Sequence, residues 1–280
     1  MLKKDLNEFI KNALDEDVGE GDHTSLATMQ TSSSNKAALL VKDDGVIAGV
    51  TLAKRIFGYI DNNLHMDILI NDGEKVKNGD VAFLVEGKSI SILEAERLIL
   101  NCMQHMSGIA TKTNYLHSLI SHTKAKILDT RKTTPLNRQI EKWAVRIGGG
   151  ENHRFGLYDM IMIKDNHIDF AGGISNAIKS TKEYLSKNNK NLDIIVEARN
   201  IEEVEEIIDE NGIRRILLDN FSYEETRKAV TIINKKYEIE SSGGINEDTI
   251  LQYAECGVDY ISVGCLTHSA SNFNLSLKAI

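Results

Sequence analysis

The stretch that decides the fold is residues 192–220, LDIIVEARNIEEVEEIIDENGIRRILLDN. It begins and ends with mostly apolar runs, residues 192–198 and 214–220, which are typical of strands buried on both faces of a sheet. Between the two runs, apolar residues recur at helical spacing over residues 200–210. A strand, a helix and a second strand in this order predict one βαβ unit of a parallel sheet.

The same alternation continues in both directions along the chain. Further strands are predicted at residues 124–130, 159–165, 237–242 and 259–265, and further helices at residues 137–147, 174–187, 222–235 and 246–256. An open doubly wound sheet and a closed barrel both fit this pattern. We favour the barrel, because polar residues follow nearly every strand, as they do in barrel enzymes. An open sheet would concentrate them at one switch point.

The first part of the chain has a different pattern. A helix is predicted up to about Leu14, and short strands and turns follow between residues 36 and 92, with a hairpin signal at Asp44-Gly45. A long helix is predicted over residues 91–121. We therefore predict an N-terminal α/β domain, residues 1–110, and a C-terminal α/β barrel domain, residues 111–280, whose tail is free to pack back on the first domain.

Composition narrows the classes of function. The net charge of −8 argues against nonspecific nucleic-acid binding. No apolar run approaches the roughly 20 residues needed to cross a bilayer, so no membrane partner is expected. Cys102, Cys256 and Cys265 lie far apart in the sequence, which favours neither a disulfide framework nor a zinc site. A reducing compartment, the cytoplasm, is expected.

One segment of this acidic chain is basic. Arg131, His153, Arg154 and Lys164 all border strand-like runs, and arginine forks match the oxygens of carboxylates and phosphates. Several cations near one point repel each other, so such a cluster indicates that an anion occupies it. A solvated helix face accounts better for the other basic residues of the segment, Arg138, Lys142 and Arg146.

Glycines and carboxylates also follow the predicted strands. Residues 241–245, SSGGI, and 262–265, SVGC, come after the last two strands, where backbone N–H groups can approach a phosphate. Glu197 and Asp219 each end an apolar strand, where an unpaired charge would be costly. Such acids can accept hydrogen bonds from ribose hydroxyls or hold a metal, although for either residue an ion pair with a neighbouring base explains its position equally well.

Eight motifs together resemble one enzyme family. They are EGDHTS at residue 20, EAERLILN at 94, DTRKTTP at 129, AVRIGGGENHRFGLYD at 144, IKDNHI at 163, LLDN at 217, SSGGI at 241 and DYISVGCLTHS at 259. In this order they strongly resemble the quinolinate phosphoribosyltransferases, from about Asp15 to the C-terminus. Two departures are Leu136, where the family often has glycine, and His23, where it usually has an aliphatic residue.

The resemblance implies a fold and a reaction. The fold is an N-terminal open α/β sandwich followed by a parallel α/β barrel with fewer strands than an eightfold TIM barrel. The reaction transfers the phosphoribosyl group of phosphoribosyl pyrophosphate, with Mg²⁺, to quinolinate, and yields nicotinate mononucleotide, pyrophosphate and CO₂ for NAD biosynthesis. The resemblance also implies a homodimer in which Arg97 completes the neighbouring subunit's site.

Roles carried over from the resemblance cover most of the candidate site. Arg131, His153 and Arg154 would clamp the quinolinate carboxylates beside Thr130, with Arg97 of the partner. Lys132 and Lys164 would face the substrate carboxylate and the pyrophosphate. Glu197 and Asp219 would hold the ribose hydroxyls, directly or through Mg²⁺. The phosphate loops would comprise Ser242, Gly243, Gly244, Val263, Gly264 and Cys265.

Two alternatives stay open at this point. A barrel aldolase would use Lys164 to form a Schiff base, since a lysine at a strand end is suitable if burial lowers its pKa. A non-catalytic paralogue of the same fold, associated with oxyanion transport, would bind phosphate without turnover.

Overall fold

The computed structural model describes residues 3–280, with side chains described from Leu6 onward. The chain forms two compact units that interleave along the sequence. The first unit comprises the chain up to Asn114, together with Pro135–Gly149 and Ser269–Ile280, and the second comprises Tyr115–Thr134 and Gly150–His268. Each unit is made of more than one segment of the chain. The predicted domains, residues 1–110 and 111–280, stay a prediction.

The first unit is built on an antiparallel sheet, with elements numbered in order along the whole chain. Its strands are β1 (Ser34–Val41), β2 (Gly45–Val46), β3 (His65–Ile68), β4 (Lys75–Val76), β5 (Val81–Lys88) and β12 (Leu275–Ala279). Its helices are α1 (Lys3–Asp17), α2 (His23–Thr28), α3 (Val50–Ile60), α5 (Arg138–Ile147) and residues 89–114 of α4 (Ser89–Ile120). The main sheet has the strand order β12-β1-β5-β3, and β2 pairs with β4.

Apolar side chains between the sheet and its helices form the core of the first unit. Leu6 and Ile10 of α1 are fully buried, one helical turn apart. Phe57 of α3 and Phe83 of β5 meet edge to face, with ring centroids 6.0 Å apart. The C-terminal strand β12 continues this core, because Leu277 lies opposite Leu39 of β1. The last strand of the chain therefore belongs to the first unit. This agrees with the expectation that the C-terminal tail could pack back on the first domain.

The hairpin predicted at Asp44-Gly45 was wrong. β1 pairs with β5 and β12, whereas β2 pairs with β4. The backbone N–H of Val46 donates to Thr111 Oγ1 of α4 at 2.9 Å, and a Cβ on Gly45 would lie 2.5 Å from that oxygen. The glycine is thus needed for close approach to a helix and not for a hairpin turn. None of the helices in the described residues is long and apolar enough to span a membrane.

The second unit contains six parallel strands with helices between them. The strands are β6 (Lys126–Leu128), β7 (Ile161–Ile163), β8 (Ile194–Ala198), β9 (Arg215–Asp219), β10 (Glu238–Ser242) and β11 (Tyr260–Ser262). The helices are α6 (Asp165–Ala171), α7 (Ile174–Lys187), α8 (Ile201–Asp209), α9 (Tyr223–Ile233), α10 (Ile250–Glu255) and α11 (Cys265–His268). All six predicted strands are confirmed.

The strand order distinguishes between the two parallel architectures. The order is β6-β11-β10-β9-β8-β7, so each strand from β7 to β11 lies beside its successor, and β11 lies beside the first strand, β6. A doubly wound sheet would reverse direction partway across, and this one does not. The order is that of an incomplete α/β barrel, in which an isolated bridge from Leu128 to Glu151 extends the β6 edge and the described strands do not pair β6 with β7.

Candidate active site

The second unit holds a cavity of about 720 Å³ at the carboxyl ends of its parallel strands. This is where barrel enzymes place their sites, because the loops after the strands converge there. Most of the predicted site residues line this cavity: Thr130, Arg131, Lys132, His153, Arg154, Lys164, Asp219, Ser242, Gly243, Gly244, Gly264 and Cys265.

The loop after β6 carries three of these residues. Thr130 turns the chain, because its Oγ1 accepts the backbone N–H of Lys132 at 3.0 Å. The carbonyl of Lys132 accepts the Thr267 hydroxyl at 2.8 Å, which ties this loop to the segment after β11. A Cβ on Gly264 would lie 3.2 Å from Lys132 Cδ, so the glycine leaves room for the lysine side chain to cross the loop. Lys132 is thereby positioned beside the predicted phosphate loop.

A buried carboxylate positions the His153-Arg154 segment. Asp129, at the end of the first barrel strand, is fully buried and accepts the backbone N–H of His153 at 2.8 Å. Farther along, Asp159 accepts the backbone N–H groups of Phe155 and Gly156 at 2.7 and 2.8 Å. Hydrogen bonds to Asp129 and Asp159 therefore hold the backbone before and after Arg154, and so fix the position from which its side chain extends.

Arg154 is in an unfavourable place for a positive charge. It is 8% exposed, and its Nη1 donates to the carbonyl of Met160 at 3.3 Å. Burial, together with the nearby charge of Arg131, lowers the pKa of Arg154 from its ordinary value. An anion between these two guanidinium groups would relieve both effects, so the geometry is that of an anion site.

Lys164 and Glu197 form a close ion pair at the cavity wall. Lys164 Nζ donates to Glu197 Oε2 at 2.6 Å, and Glu197 is only 4% exposed. Lys164 lines the cavity, while Glu197 lies behind it and does not. The Lys164 backbone N–H donates to His167 Nδ1 at 2.9 Å, so His167 caps α6 locally. A substrate hydroxyl would reach Glu197 only if the lysine side chain moved toward the substrate.

The loops after β9 and β10 meet at a glycine. Asp219 ends β9 on the cavity wall, and Asn220 Nδ2 donates to its Oδ2 at 2.8 Å. Gly243 has φ 104°, and a Cβ there would lie 2.1 Å from Asn220 Oδ1. Only glycine fits this position, for reasons of both space and backbone conformation. Gly244 follows on the cavity wall, so the loop presents backbone to a ligand.

Besides Glu197, two further predicted site residues do not line the cavity. Val263 is fully buried and its backbone N–H donates to the Leu128 carbonyl at 2.9 Å, so it packs beneath the loop and does not line the cavity. Arg97 is an exposed residue of α4 in the first unit, and its predicted role stays a prediction.

Sequence reasoning missed one charged residue of the cavity floor. Glu240 is fully buried in β10 and lines the cavity. The signal was present in the segment YEIESS, where a glutamate occupies an otherwise core position two residues before Ser242. The strand was recognised, but only the residues after its end were considered.

Comparisons with known proteins identify the family of the chain. The sequence model described as "Quinolinate phosphoribosyl transferase, C-terminal domain" matches residues 109–278, and that of the N-terminal domain matches residues 22–107. The chain is 44% identical to the decarboxylating quinolinate phosphoribosyltransferase 2b, mitochondrial, of Nicotiana tabacum, with 98% of this chain and 82% of the relative covered.

A second relative and a solved structure show the same family resemblance. The chain is 44% identical to the carboxylating nicotinate-nucleotide pyrophosphorylase, chloroplastic, of Arabidopsis thaliana, with 98% and 82% covered. The crystal structure of NadC from Streptococcus pyogenes superposes with a TM-score of 0.93 at 36% identity, covering 100% of this chain and 99% of that one. Matches over both parts of the sequence, together with the fold, show that the chain belongs to the quinolinate phosphoribosyltransferase family.

Proposed function

We propose that this chain transfers the phosphoribosyl group of phosphoribosyl pyrophosphate to quinolinate and releases CO₂, which yields nicotinate mononucleotide and pyrophosphate for NAD biosynthesis. The observation that carries the proposal is one cavity lined both by Arg131 and Arg154 and by the Gly243-Gly244 loop. The guanidinium pair matches a pyridine with two carboxylates, and the loop matches a phosphate.

Charge and position account for binding on the acceptor side. Arg131 and Arg154 would each contact carboxylate oxygens of quinolinate, and the negative charge of the substrate would offset the repulsion between the two guanidinium groups. Lys164 lines the same cavity and would add a third positive charge. These contacts would orient the pyridine nitrogen toward the sugar, which supports the reaction by positioning.

The transfer step needs charge stabilisation and no protein nucleophile. The pyridine nitrogen forms a bond to C1 of the ribose as the C1–oxygen bond to pyrophosphate breaks, with the bonding pair leaving on the pyrophosphate. Lys132 would stabilise that growing negative charge, and Asp219 would hold the ribose hydroxyls as positive charge develops on the ring. Glu197 would share this role once Lys164 turns toward the substrate.

Decarboxylation then follows from the electronics of the product. The pyridinium nitrogen withdraws electrons from the adjacent carbon, so the bond to the neighbouring carboxylate breaks, CO₂ leaves and the electron pair stays on the ring carbon. A proton from water completes nicotinate mononucleotide. The second carboxylate remains in the product, so the site needs contacts that retain it. Arg131 and Arg154 supply such contacts after CO₂ has left.

Mg²⁺ would be held jointly by a carboxylate of the protein and by oxygens of the substrate. Within the described residues, no three His, Cys, Asp or Glu side chains converge to hold a metal. Mg²⁺ commonly takes one or two carboxylates together with phosphate oxygens and water, and Asp219 presents a carboxylate at the cavity wall. Bound there with pyrophosphate, the ion would supply charge neutralisation. Glu197 fits less well, because Lys164 already engages it.

The assembly and the location of the chain belong to the same proposal. A homodimer would bring exposed Arg97 of one subunit to the cavity of its partner, where it would contact the quinolinate carboxylates. Leu157 and Tyr158, which follow the His153-Arg154 loop, are 70% and 71% exposed, and a partner subunit would cover them.

The three cysteines are unpaired, which supports a reducing compartment such as the cytoplasm.

The Schiff-base alternative is disfavoured by one contact. A Schiff-base lysine must present a free amine to the carbonyl, but Lys164 Nζ is engaged by the buried carboxylate of Glu197 at 2.6 Å. Borohydride trapping with a carbonyl substrate is expected to leave the chain unmodified. Covalent labelling of Lys164 would reinstate the aldolase.

The proposed reaction is tested by direct turnover. The chain would be incubated with quinolinate, phosphoribosyl pyrophosphate and Mg²⁺, and nicotinate mononucleotide and CO₂ would be measured together. We expect equal amounts of both products, with neither formed when quinolinate is omitted. Binding of phosphoribosyl pyrophosphate without any product would contradict the proposal and favour the non-catalytic paralogue.

A further inference from the structure

A fully buried carboxylate forms part of the cavity floor. Glu240 lies in the middle of β10 with no exposed surface, and it lines the same cavity as Arg154. Burying a charged carboxylate costs several kcal/mol unless donors compensate for the lost water. The groups that contact the Glu240 carboxylate therefore indicate its role.

Two hydrogen bonds and one close approach involve the two oxygens of Glu240. Arg215 Nη1 donates to Oε2 at 2.7 Å, the Ser262 hydroxyl donates to Oε1, and His153 Nε2 lies 3.3 Å from Oε1. Burial opposes ionisation, but the contact with His153 and the charge of Arg215 outweigh it, so the pKa of Glu240 lies below its ordinary value. Glu240 is therefore an acceptor with a negative charge.

The other ring nitrogen of His153 is also engaged. The Arg154 backbone N–H donates to His153 Nδ1 at 2.7 Å. A nitrogen that accepts a hydrogen bond carries no proton, so the ring proton must be on Nε2, which faces Glu240.

We infer that Glu240 is a positioning residue for substrate binding: its carboxylate faces the Nε2–H of His153 at 3.3 Å, keeps Nδ1 as the acceptor for the Arg154 backbone, and so orients Arg154 toward the cavity. The inference rests on the proposed function, in which Arg154 binds quinolinate. It changes the part assigned to His153 from a direct contact of the clamp to a link between Glu240 and Arg154.

Glu238 provides a matched control for this inference. It precedes Glu240 by two residues on the same strand and accepts from Arg215 Nη2 at 3.0 Å. It does not line the cavity, and its side chain is 33% exposed. Glu238→Gln and Glu240→Gln therefore each remove one carboxylate from Arg215, but only the second acts on His153.

The experiment measures the tautomer of His153 by NMR and the KM values for both substrates in the same set of variants. Ring nitrogen shifts would be recorded by ¹⁵N NMR at pH 7.5 for the wild type and both variants, with the His153 signals assigned by their loss in His153→Gln. We expect an Nε2-protonated ring in the wild type and in Glu238→Gln, and an altered tautomer in Glu240→Gln. With Glu240→Gln, KM for quinolinate should rise about tenfold, while KM for phosphoribosyl pyrophosphate stays unchanged.

Two results would overturn the inference. One is a folded Glu240→Gln protein with the wild-type tautomer and the wild-type KM for quinolinate. The other is a wild-type His153 that is protonated on Nδ1, and this result decides the question even if Glu240→Gln does not fold. The NMR measurement needs no turnover, so a failure of the proposed reaction would be distinguishable from a failure of this link.

Discussion

At the scale of the residue, the function depends on positive charges that are held close together before any ligand arrives. Arg154 is buried and lies near Arg131, and the two effects lower the pKa of Arg154. Such an arrangement is unfavourable for the empty protein and favourable for the complex with an anion. Removing one of the two charges should therefore weaken binding without weakening the fold.

Arg131→Ala tests this expectation. KM for quinolinate should rise about tenfold or more, the equivalent of one lost charged contact, and the midpoint of thermal unfolding should stay the same or rise, because the repulsion on Arg154 is removed. Steady-state kinetics and thermal unfolding measure the two quantities. Arg227→Ala, an exposed arginine of α9 outside the cavity, should change neither. A wild-type KM in Arg131→Ala would remove Arg131 from the clamp.

Gly243 tests the phosphate side in the same way. In Gly243→Ala, the new Cβ would meet the Asn220 side chain and adopt a φ that alanine rarely takes, so the loop must shift. KM for phosphoribosyl pyrophosphate should rise about tenfold, since the strain is about 1–3 kcal/mol. Gly212→Ala is the control, because Gly212 also has a positive φ but lies outside the cavity. It should lower stability and leave this KM unchanged.

At the scale of the element, the strands of the barrel were predictable because their pattern is local. Each run of apolar residues between helices became a strand, since a strand covered on both faces needs apolar side chains at nearly every position. The hairpin at Asp44-Gly45 was wrong for the opposite reason. Its two residues fit a turn signal, but the partner of β2 is β4, and that pairing depends on chain far from the turn.

The N-terminus of α9 offers a test with a defined pH dependence. Ser222 and Glu225 form a capping box, in which the Ser222 hydroxyl donates to Glu225 Oε2 at 2.7 Å and accepts from its backbone N–H. The Ser222 hydroxyl and the Ser222 backbone N–H, which donates to Glu225 Oε2 at 2.9 Å, hold the pKa of Glu225 below its ordinary value. A lowered pKa means that the stabilisation is present at neutral pH and is lost as the pH falls through the folded-state pKa.

Ser222→Ala should therefore be less stable than the wild type at pH 7, by about 1 kcal/mol for the lost cap. The difference should shrink below the ordinary pKa of a glutamate, once Glu225 is protonated in both proteins. Denaturant unfolding at pH 7 and at acid pH measures the difference. Ser180→Ala, at an exposed position inside α7, should be no less stable than the wild type at either pH. A constant difference across the range would contradict the role of the carboxylate.

At the scale of the whole molecule, the proposed dimer determines whether the cavity is complete. If Arg97 contacts quinolinate in the partner's cavity, Arg97→Ala and Arg131→Ala should each have little activity alone when quinolinate is kept far below KM. Mixing the two after subunit exchange should restore activity, because one site of each heterodimer would contain both wild-type arginines.

The recovered activity gives a quantitative test of this sharing. With random exchange at equal amounts, about one quarter of all sites should be complete, and turnover should approach about that fraction of the wild-type rate. The equivalent mixture of Arg131→Ala with Lys132→Ala should not recover, since both residues lie in the same subunit's cavity. A mixture of Arg97→Ala and Arg131→Ala that stays inactive would show that the site is not shared.

The amino-acid sequence was enough to predict the strands of the barrel and the polar residues that follow them, because burial on both faces leaves a local pattern of apolar residues. The folded chain was needed to show which strands are neighbours, that Lys164 contacts Glu197, and that His153 lies 3.3 Å from Glu240. These contacts join residues far apart in the chain. Their energies depend on distance and burial in the folded protein, and a linear pattern contains neither.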